Sequence, residues 1–436
     1  MPANAAVSTN NGTTFDYAYA AGFNGDSVAA PATAGDYTIS KVEFGQINLM
    51  QVGDPYFALT ANRDVLVRVS VLGSVANLVA PNVALSLKDA SGSTLFNQVL
   101  SPKSANMVLP TQRDVADTYV SNTTSPNGPL PCYTGRNVAG CPSTSATVVK
   151  TAGASIPDLY HAYIVKIPAA NLPAGTLTLV VNVQPGTTQQ ASTVGNTLSV
   201  QIQPRTVAPM DLTLVPFQVA GVSPTLPSTA HVTTIAMRYF PVSQVVVRQR
   251  APIVVADTVL GGKTPAQYGD ARQPLLAVLD TTYQQDGVTS SYYLGVVPGT
   301  GQDIGGITLG RGSGIALFGD STYDINDSLR RELNNGPAHF GEVNAANGCG
   351  SDGGAILPST FADGGLNGVW GVDLISDGSK ITLQNPAKNR SIAGYCMGQW
   401  SSSYQVKTYM RDAKMGKLNA TELNTTYTTV DPVAWW

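Results

Sequence analysis

Val65, Val67, Val69 and Val71 occupy every second position of the run Val65-Leu66-Val67-Arg68-Val69-Ser70-Val71, and this spacing constrains the fold more than any other feature. Successive side chains of a strand point to opposite faces, so the run presents one continuous apolar face, as a strand in a sandwich would. Val42 and Phe44 begin the pattern after Tyr37. Leu177, Leu179, Val181 and Val183 repeat it, and Leu198, Val200 and Ile202 do so again. Turn-forming clusters such as Asp89-Ala90-Ser91-Gly92 and Asn171-Leu172-Pro173-Ala174-Gly175 separate these runs. The pattern predicts an antiparallel β-sandwich over 36–206, with a long polar inserted loop at 111–155.

The stretch Pro204-Arg205-Thr206-Val207-Ala208-Pro209 reads as a linker, because it carries two flanking prolines and no periodicity. Beyond it the texture is mixed. Leu212, Leu214 and Phe217 predict a strand. Pro265 to Asp280 predicts a helix with Leu275, Leu276 and Leu279 on its buried side, and Ser291 to Val297 a short apolar strand. This is an α/β pattern over 207–436 rather than a second sandwich.

Residues 1–35 are rich in Ala, Gly, Thr and Asn, with Phe15, Tyr17 and Tyr19 alternating with small residues. They read as a flexible arm or as a β-arm that pairs with another subunit. The chain is long enough, at 436 residues, for two or three domains with full cores. Charged residues are only 12%, about half the usual share, which is the profile of a β-rich extracellular protein. A net charge of -3 gives no electrostatic reason to expect nucleic acid or an anionic membrane as partner. No apolar run approaches the roughly 18 to 20 residues of a membrane span. The N-terminus lacks a basic region followed by an apolar one, which implies a removed signal peptide or another export route. Four cysteines make two pairs with none left over: Cys132 with Cys141 in a Pro/Gly-rich loop, and Cys349 with Cys396 further on. A reduced cytosolic protein is the competing reading.

Val42-Glu43-Phe44-Gly45-Gln46, Ala61 to Arg68, Tyr292 to Val297, Gly305-Gly306-Ile307, Tyr395-Cys396 and Trp400-Ser401-Ser402-Ser403-Tyr404 follow one another in a telling order. Together they make most of residues 37–410 resemble secreted bacterial zinc metalloproteases of the M66 type. The resemblance implies a multidomain β-rich α+β protein, with a β-sandwich followed by a metzincin-like domain. It also implies secretion from a bacterium or display on its surface, and a disulfide between Cys349 and Cys396.

That family binds zinc through HExxHxxGxxH, in which two histidines one helical turn apart and a third after a glycine turn hold the metal. The glutamate activates the bound water. Laid on Leu329-Arg330-Arg331-Glu332-Leu333-Asn334-Asn335, the pattern keeps Glu332 but places Arg331 and Asn335 at the first two histidines. With Phe340-Gly341 as the turn, Asn344 stands at the third. An alternative register makes His339 a ligand and displaces the glutamate. The chain has three histidines, His161, His231 and His339, and no register leaves more than one in this region. An arginine at a ligand position puts a permanent positive charge where the cation would sit. Gly336-Pro337 ends the helix directly after Asn335. Where the family carries its Met-turn, Ser391-Ile392-Ala393-Gly394-Tyr395-Cys396 has Ala393 in the methionine position.

The expectation is therefore an inactive homologue that keeps a scaffold and has lost its zinc. It would serve as a structural or binding protein, with itself, an extracellular protein or a glycan as partner. The alternatives are an active protease using Glu332, His339 and Glu342, and a glycan- or mucin-binding protein that does not cut. Asp320, Asp324 and Asp327 could offer oxygen ligands to a structural calcium, but their spacing is not that of an EF-hand, and they read as a solvated loop. The closing residues Trp435 and Trp436 are candidate contacts, docked on their own domain or offered to a partner.

Overall fold

The computed structural model describes residues 31–102, 107–109, 162–186, 188–261, 272–288, 291–299, 307–309, 313–319, 369–375, 380–384 and 399–414. It also describes shorter pieces at 6–8, 14–16, 111, 115–122, 130–132, 147–156, 333, 366 and 390–392. Strands dominate these residues and helices are few.

The period-two runs form two antiparallel four-stranded sheets. In chain order their strands are β1 (Tyr37–Gly45), β2 (Leu49–Met50), β3 (Val65–Gly73), β4 (Asn82–Lys88), β5 (Thr94–Leu100), β6 (Ala162–Ile167), β7 (Leu177–Gln184) and β8 (Thr197–Ile202). One sheet runs β6-β3-β1-β2 and the other β8-β7-β4-β5. Val65, Val67, Val69 and Val71 from the first and Leu177, Leu179, Val181 and Val183 from the second are buried in one shared core. Ile202 joins them fully, and Leu198 and Val200 pack at the margin. A β-bulge between Ile39 and Lys41 shifts the register of β1 on β3. The stretch expected to be an inserted loop instead carries three antiparallel strands, Val115–Asn122, Leu130–Cys132 and Thr147–Ile156. Val148, Val149 and Tyr119 lie in the paired registers, and β-branched and aromatic residues of this kind favour strands within a polar stretch.

The second half is α/β, as its mixed pattern implies. Strand β9 (Met210–Val219) pairs in parallel with β10 (Val245–Gln249), β11 (Ile253–Val255) and β12 (Tyr292–Gly299), and β12 pairs in parallel with β14 (Ser313–Gly319). The edge strand β13 (Ile307–Leu309) is antiparallel to β14. Parallel neighbours need a crossover, supplied by α1 (Thr229–Tyr239) between β9 and β10 and by α3 (Arg272–Asp286) between β11 and β12. A short turn, α2 (Asp257–Leu260), precedes α3 and ends on Gly261 with φ 59°, a left-handed helix stop. Ser228 caps α1 by accepting from the His231 backbone N–H at 3.1 Å. Leu275, Leu276 and Leu279 are the buried side of α3, as expected, and pack on Val215, Phe217 and Val219 of β9.

The presumed linker is tied down. Thr60 and Arg205 form a parallel bridge, with Arg205 N–H donating to Leu59 O at 2.9 Å and Ala61 N–H to Arg205 O at 2.8 Å. The outer face of the first sheet is also covered. Strands β15 (Gly371–Asp373) and β16 (Lys380–Gln384) bring Val372, Ile381 and Leu383 into a core with Leu49, Leu66 and Ile164. The N-terminal pieces Ala6–Ser8 and Thr14–Asp16 pair as a hairpin, and Thr14 and Phe15 extend this sheet by pairing in parallel with Lys380 and Ile381 of the same chain. The described strands of the arm, Ala6–Ser8 and Thr14–Asp16, thus pair within their own chain. Among the described residues, no helix is long and apolar enough to cross a membrane.

Gly371 sits where this cover meets Trp400. A Cβ there would lie 2.5 Å from Trp400 Cδ1 and 2.8 Å from Gln384 Cβ, and the indole is 1% exposed and cannot swing away. Gly371→Ala should lower stability by about 1–3 kcal/mol, read as a lower urea midpoint with an unchanged slope.

Candidate functional site at the junction of the two halves

The residues expected at the degenerate zinc site fall largely outside the described residues: Arg331, Glu332, Asn335, His339, Glu342, Asn344 and Ala393 do so, as do Asp320, Asp324 and Asp327. Two immediate neighbours are placed. Leu333 is helical and fully buried, and Ile392 is 1% exposed. Both belong to the core formed by Leu212 and Leu214 of β9, Ile235 of α1, and Trp400. The two stretches singled out around Glu332 and Ala393 thus converge on one core. Of the cysteines, only the backbone of Cys132 is described, at the end of a strand, so neither proposed disulfide lies within the described residues. The same holds for Tyr17, Tyr19, Trp435 and Trp436. His231 stands in the first turn of α1, while His161 and His339 lie outside the described residues. Among the described residues, no three His, Cys, Asp or Glu side chains gather as a metal cluster.

The geometry that is described centres on Arg63. It follows β2 in a segment that leads into β3, and it is 2% exposed. Its guanidinium donates to Phe240 O, to Val242 O at 3.0 Å, to Met237 O at 2.5 Å and to Gln46 O at 3.4 Å. Met237 lies in the last turn of α1 and Phe240 is its C-cap, so the cation meets carbonyls that the helix leaves unpaired, at the negative end of its dipole. Burial lowers the Arg63 pKa to about 10, and the nearby carboxylates of Asp64 and Asp373 oppose the shift. The group therefore stays charged at neutral pH.

Gln46 completes the clamp. Its amide donates to Thr60 O at 2.9 Å and Arg63 O at 3.1 Å and accepts from Thr60 N–H at 2.7 Å, while the Thr60 hydroxyl donates to Pro241 O at 2.9 Å. A second polar cluster lies beside it. Trp400 Nε1 donates to Ile47 O at 2.8 Å, Asn48 Nδ2 to Ser401 O at 2.9 Å, and Ser401 Oγ to Tyr239 O at 2.5 Å. Arg238 pairs with the buried Asp373 at 2.8 Å and lies over the rings of Tyr239 and Trp400, at 5.1 and 5.5 Å. The Ser402 hydroxyl accepts from Gln405 N–H at 3.2 Å, while the Gln405 side chain accepts from Ser402 N–H at 3.0 Å. This reciprocal capping box starts α4 (Ser403–Lys414).

Next to the clamp is an open cavity of about 300 Å³ between the end of β8, the 52–59 segment and α4. Arg205 and Lys407 line it. Lys407 is 5% exposed and donates to Pro55 O at 2.6 Å, and burial lowers the pKa of Arg205. Reading the residues alone missed both cations and Arg63. The available signal was a charged residue inside or beside an apolar pattern, as at Arg63-Asp64 before the valine run and Lys407 within α4. No protein-family model matches the chain, and no curated protein matches it.

Arg63→Met removes the cation and leaves four carbonyls short of a donor, so it should cost about 3–5 kcal/mol of stability in chemical denaturation. Arg63→Lys keeps the charge but cannot span the same fan of acceptors, and should fall between the two.

Proposed function

We propose that the chain is a secreted, catalytically inactive homologue of M66-type metalloproteases. It would act as a structural or binding protein: a matrix component, an adhesin or a subunit of an extracellular assembly. In this reading the two sheets around the valine core are the β-sandwich, and the α/β half is the metzincin-like domain. The observation that carries the reading is the burial of Leu333 and Ile392 in one core with Trp400. Their neighbours in sequence are the residues that would do the chemistry: Arg331, Glu332 and Asn335 on one side and Ala393 on the other. A packed scaffold next to an arginine and an asparagine in ligand positions is what remains when folding is selected and catalysis is not. A site that needs three protein ligands and an open position has no means of holding zinc tightly with one histidine.

The metal content of the unchelated protein tests the reading most directly. Elemental mass spectrometry should find far less than one zinc per chain, and no peptidase activity should appear when zinc is added. Zinc near one per chain, with proteolysis abolished by a chelator, would instead establish the active enzyme built on Glu332, His339 and Glu342. For the assembly form of the proposal, deletion of residues 1–35 should abolish oligomers in light scattering. Oligomers that persist unchanged would remove the arm from the assembly contact.

A further inference from the structure

The cavity beside α4 has the composition of a ligand site rather than a packing gap. Phe57, Ile202 and the fully buried Met410 give it an apolar lining. Arg205, Lys407 and the exposed Gln203 line it as well, and no Asp or Glu is among the lining residues. Lys407 lies almost wholly inside the protein, where an ammonium loses most of its hydration, and its Nζ donates to Pro55 O at 2.6 Å. Burial also lowers the pKa of Arg205, which is half-buried. Two cationic side chains in the lining, with no acidic one, favour an anion in the cavity. At about 300 Å³ the space is at the small end of ligand sites and suits a small organic molecule rather than a polymer.

We propose that this cavity binds a small amphipathic organic acid, its carboxylate between Arg205 and Lys407 and its apolar body against Phe57, Ile202 and Met410. The site lies between the first sheets and α4, so a bound acid bridges the two halves of the protein. Neither the site nor its ligand depends on whether the chain binds zinc or cuts peptides.

The test is isothermal titration of the full chain with octanoate, octanol and octylamine. Octanoate should bind with a Kd of about 1 mM or tighter, and the alcohol and the amine at least about tenfold more weakly. Arg205→Gln should weaken octanoate about fivefold or more. Gln203→Glu, at an exposed lining position, places a carboxylate in the lining without touching the core, and should do the same by repulsion. Gln203→Glu remains informative if Arg205→Gln fails to fold. The proposal is overturned if octanol binds as tightly as octanoate, if octanoate gives no heat up to about 20 mM, or if folded variants bind it like the unmodified protein.

Discussion

The two halves are held in register by one buried cation. Arg63 carries a charge that would cost several kcal/mol to strip of water without compensation. Four carbonyls supply that compensation, and three of them belong to the end of α1 and the residues just after it. A helix end is otherwise a difficult surface to bury, because its last carbonyls have no partners within the helix. A guanidinium suits this task, since it presents five N–H donors in a rigid plane and can reach several acceptors at once. Neither partner is well accommodated alone: without Arg63 the end of α1 could not sit against the first sheets, and without α1 the arginine could not be buried. Gln46 and Thr60 hold the arginine's own segment in place through the Thr60 backbone and Arg63 O, and tie it across to Pro241.

From this clamp follows the two-sided burial of β3. One face holds the four valines of the inner core, as a sandwich strand should. The other face presents Leu66, Arg68 and Ser70, which on a solvated sheet would face water. Here Arg68 is 1% exposed and pairs with Glu43 across the strands, with Lys41 on the other carboxylate oxygen. The cover comes from far along the chain, in β15 and β16. It is anchored where Leu49 N–H donates to Trp370 O at 2.7 Å and Val372 N–H to Ile47 O at 2.6 Å. Strand β2 and the segment before it thus meet the α/β half on one side and this cover on the other.

What was legible in the sequence is the part governed by local period. The valine run, the Leu177 to Val183 strand, the leucines of α3 and the change to α/β texture all follow from side-chain spacing, which depends only on near neighbours. The burial of Arg63, Arg68 and Lys407 was not legible, because their partners lie as far as 352 positions away in the chain, as with Lys407 and Pro55. The segment from Pro204 to Pro209 misled for the same reason. It has the composition of a linker, but the backbone of Arg205 pairs with Leu59 and Ala61 and Pro204 O accepts from Gly175 N–H, which no local pattern announces. At the proposed degenerate zinc site, the residues that would carry chemistry were legible as identities only. Geometry is described just for their neighbours Leu333 and Ile392, and there it concerns packing.

The stretches on which the proposed resemblance rests are not a random sample of the chain. Val42 to Gln46 contributes Gln46 and Glu43, Ala61 to Arg68 contributes Arg63 and Arg68, and Trp400 to Tyr404 contributes the indole that bonds Ile47 and the serine that bonds Tyr239. Several of the polar contacts that join the two halves involve these stretches directly. Such groups are hard to substitute one at a time, since losing either partner leaves the other buried and unsatisfied. The identities at these positions answer to the closing of the junction, and by themselves say nothing about a reaction. Under the proposed reading, Arg331, Asn335 and Asn344 stand outside this requirement. In the proposed reading a metal ligand is kept by the work of the site alone, and the burial of Leu333 makes no demand for a histidine among its neighbours in sequence.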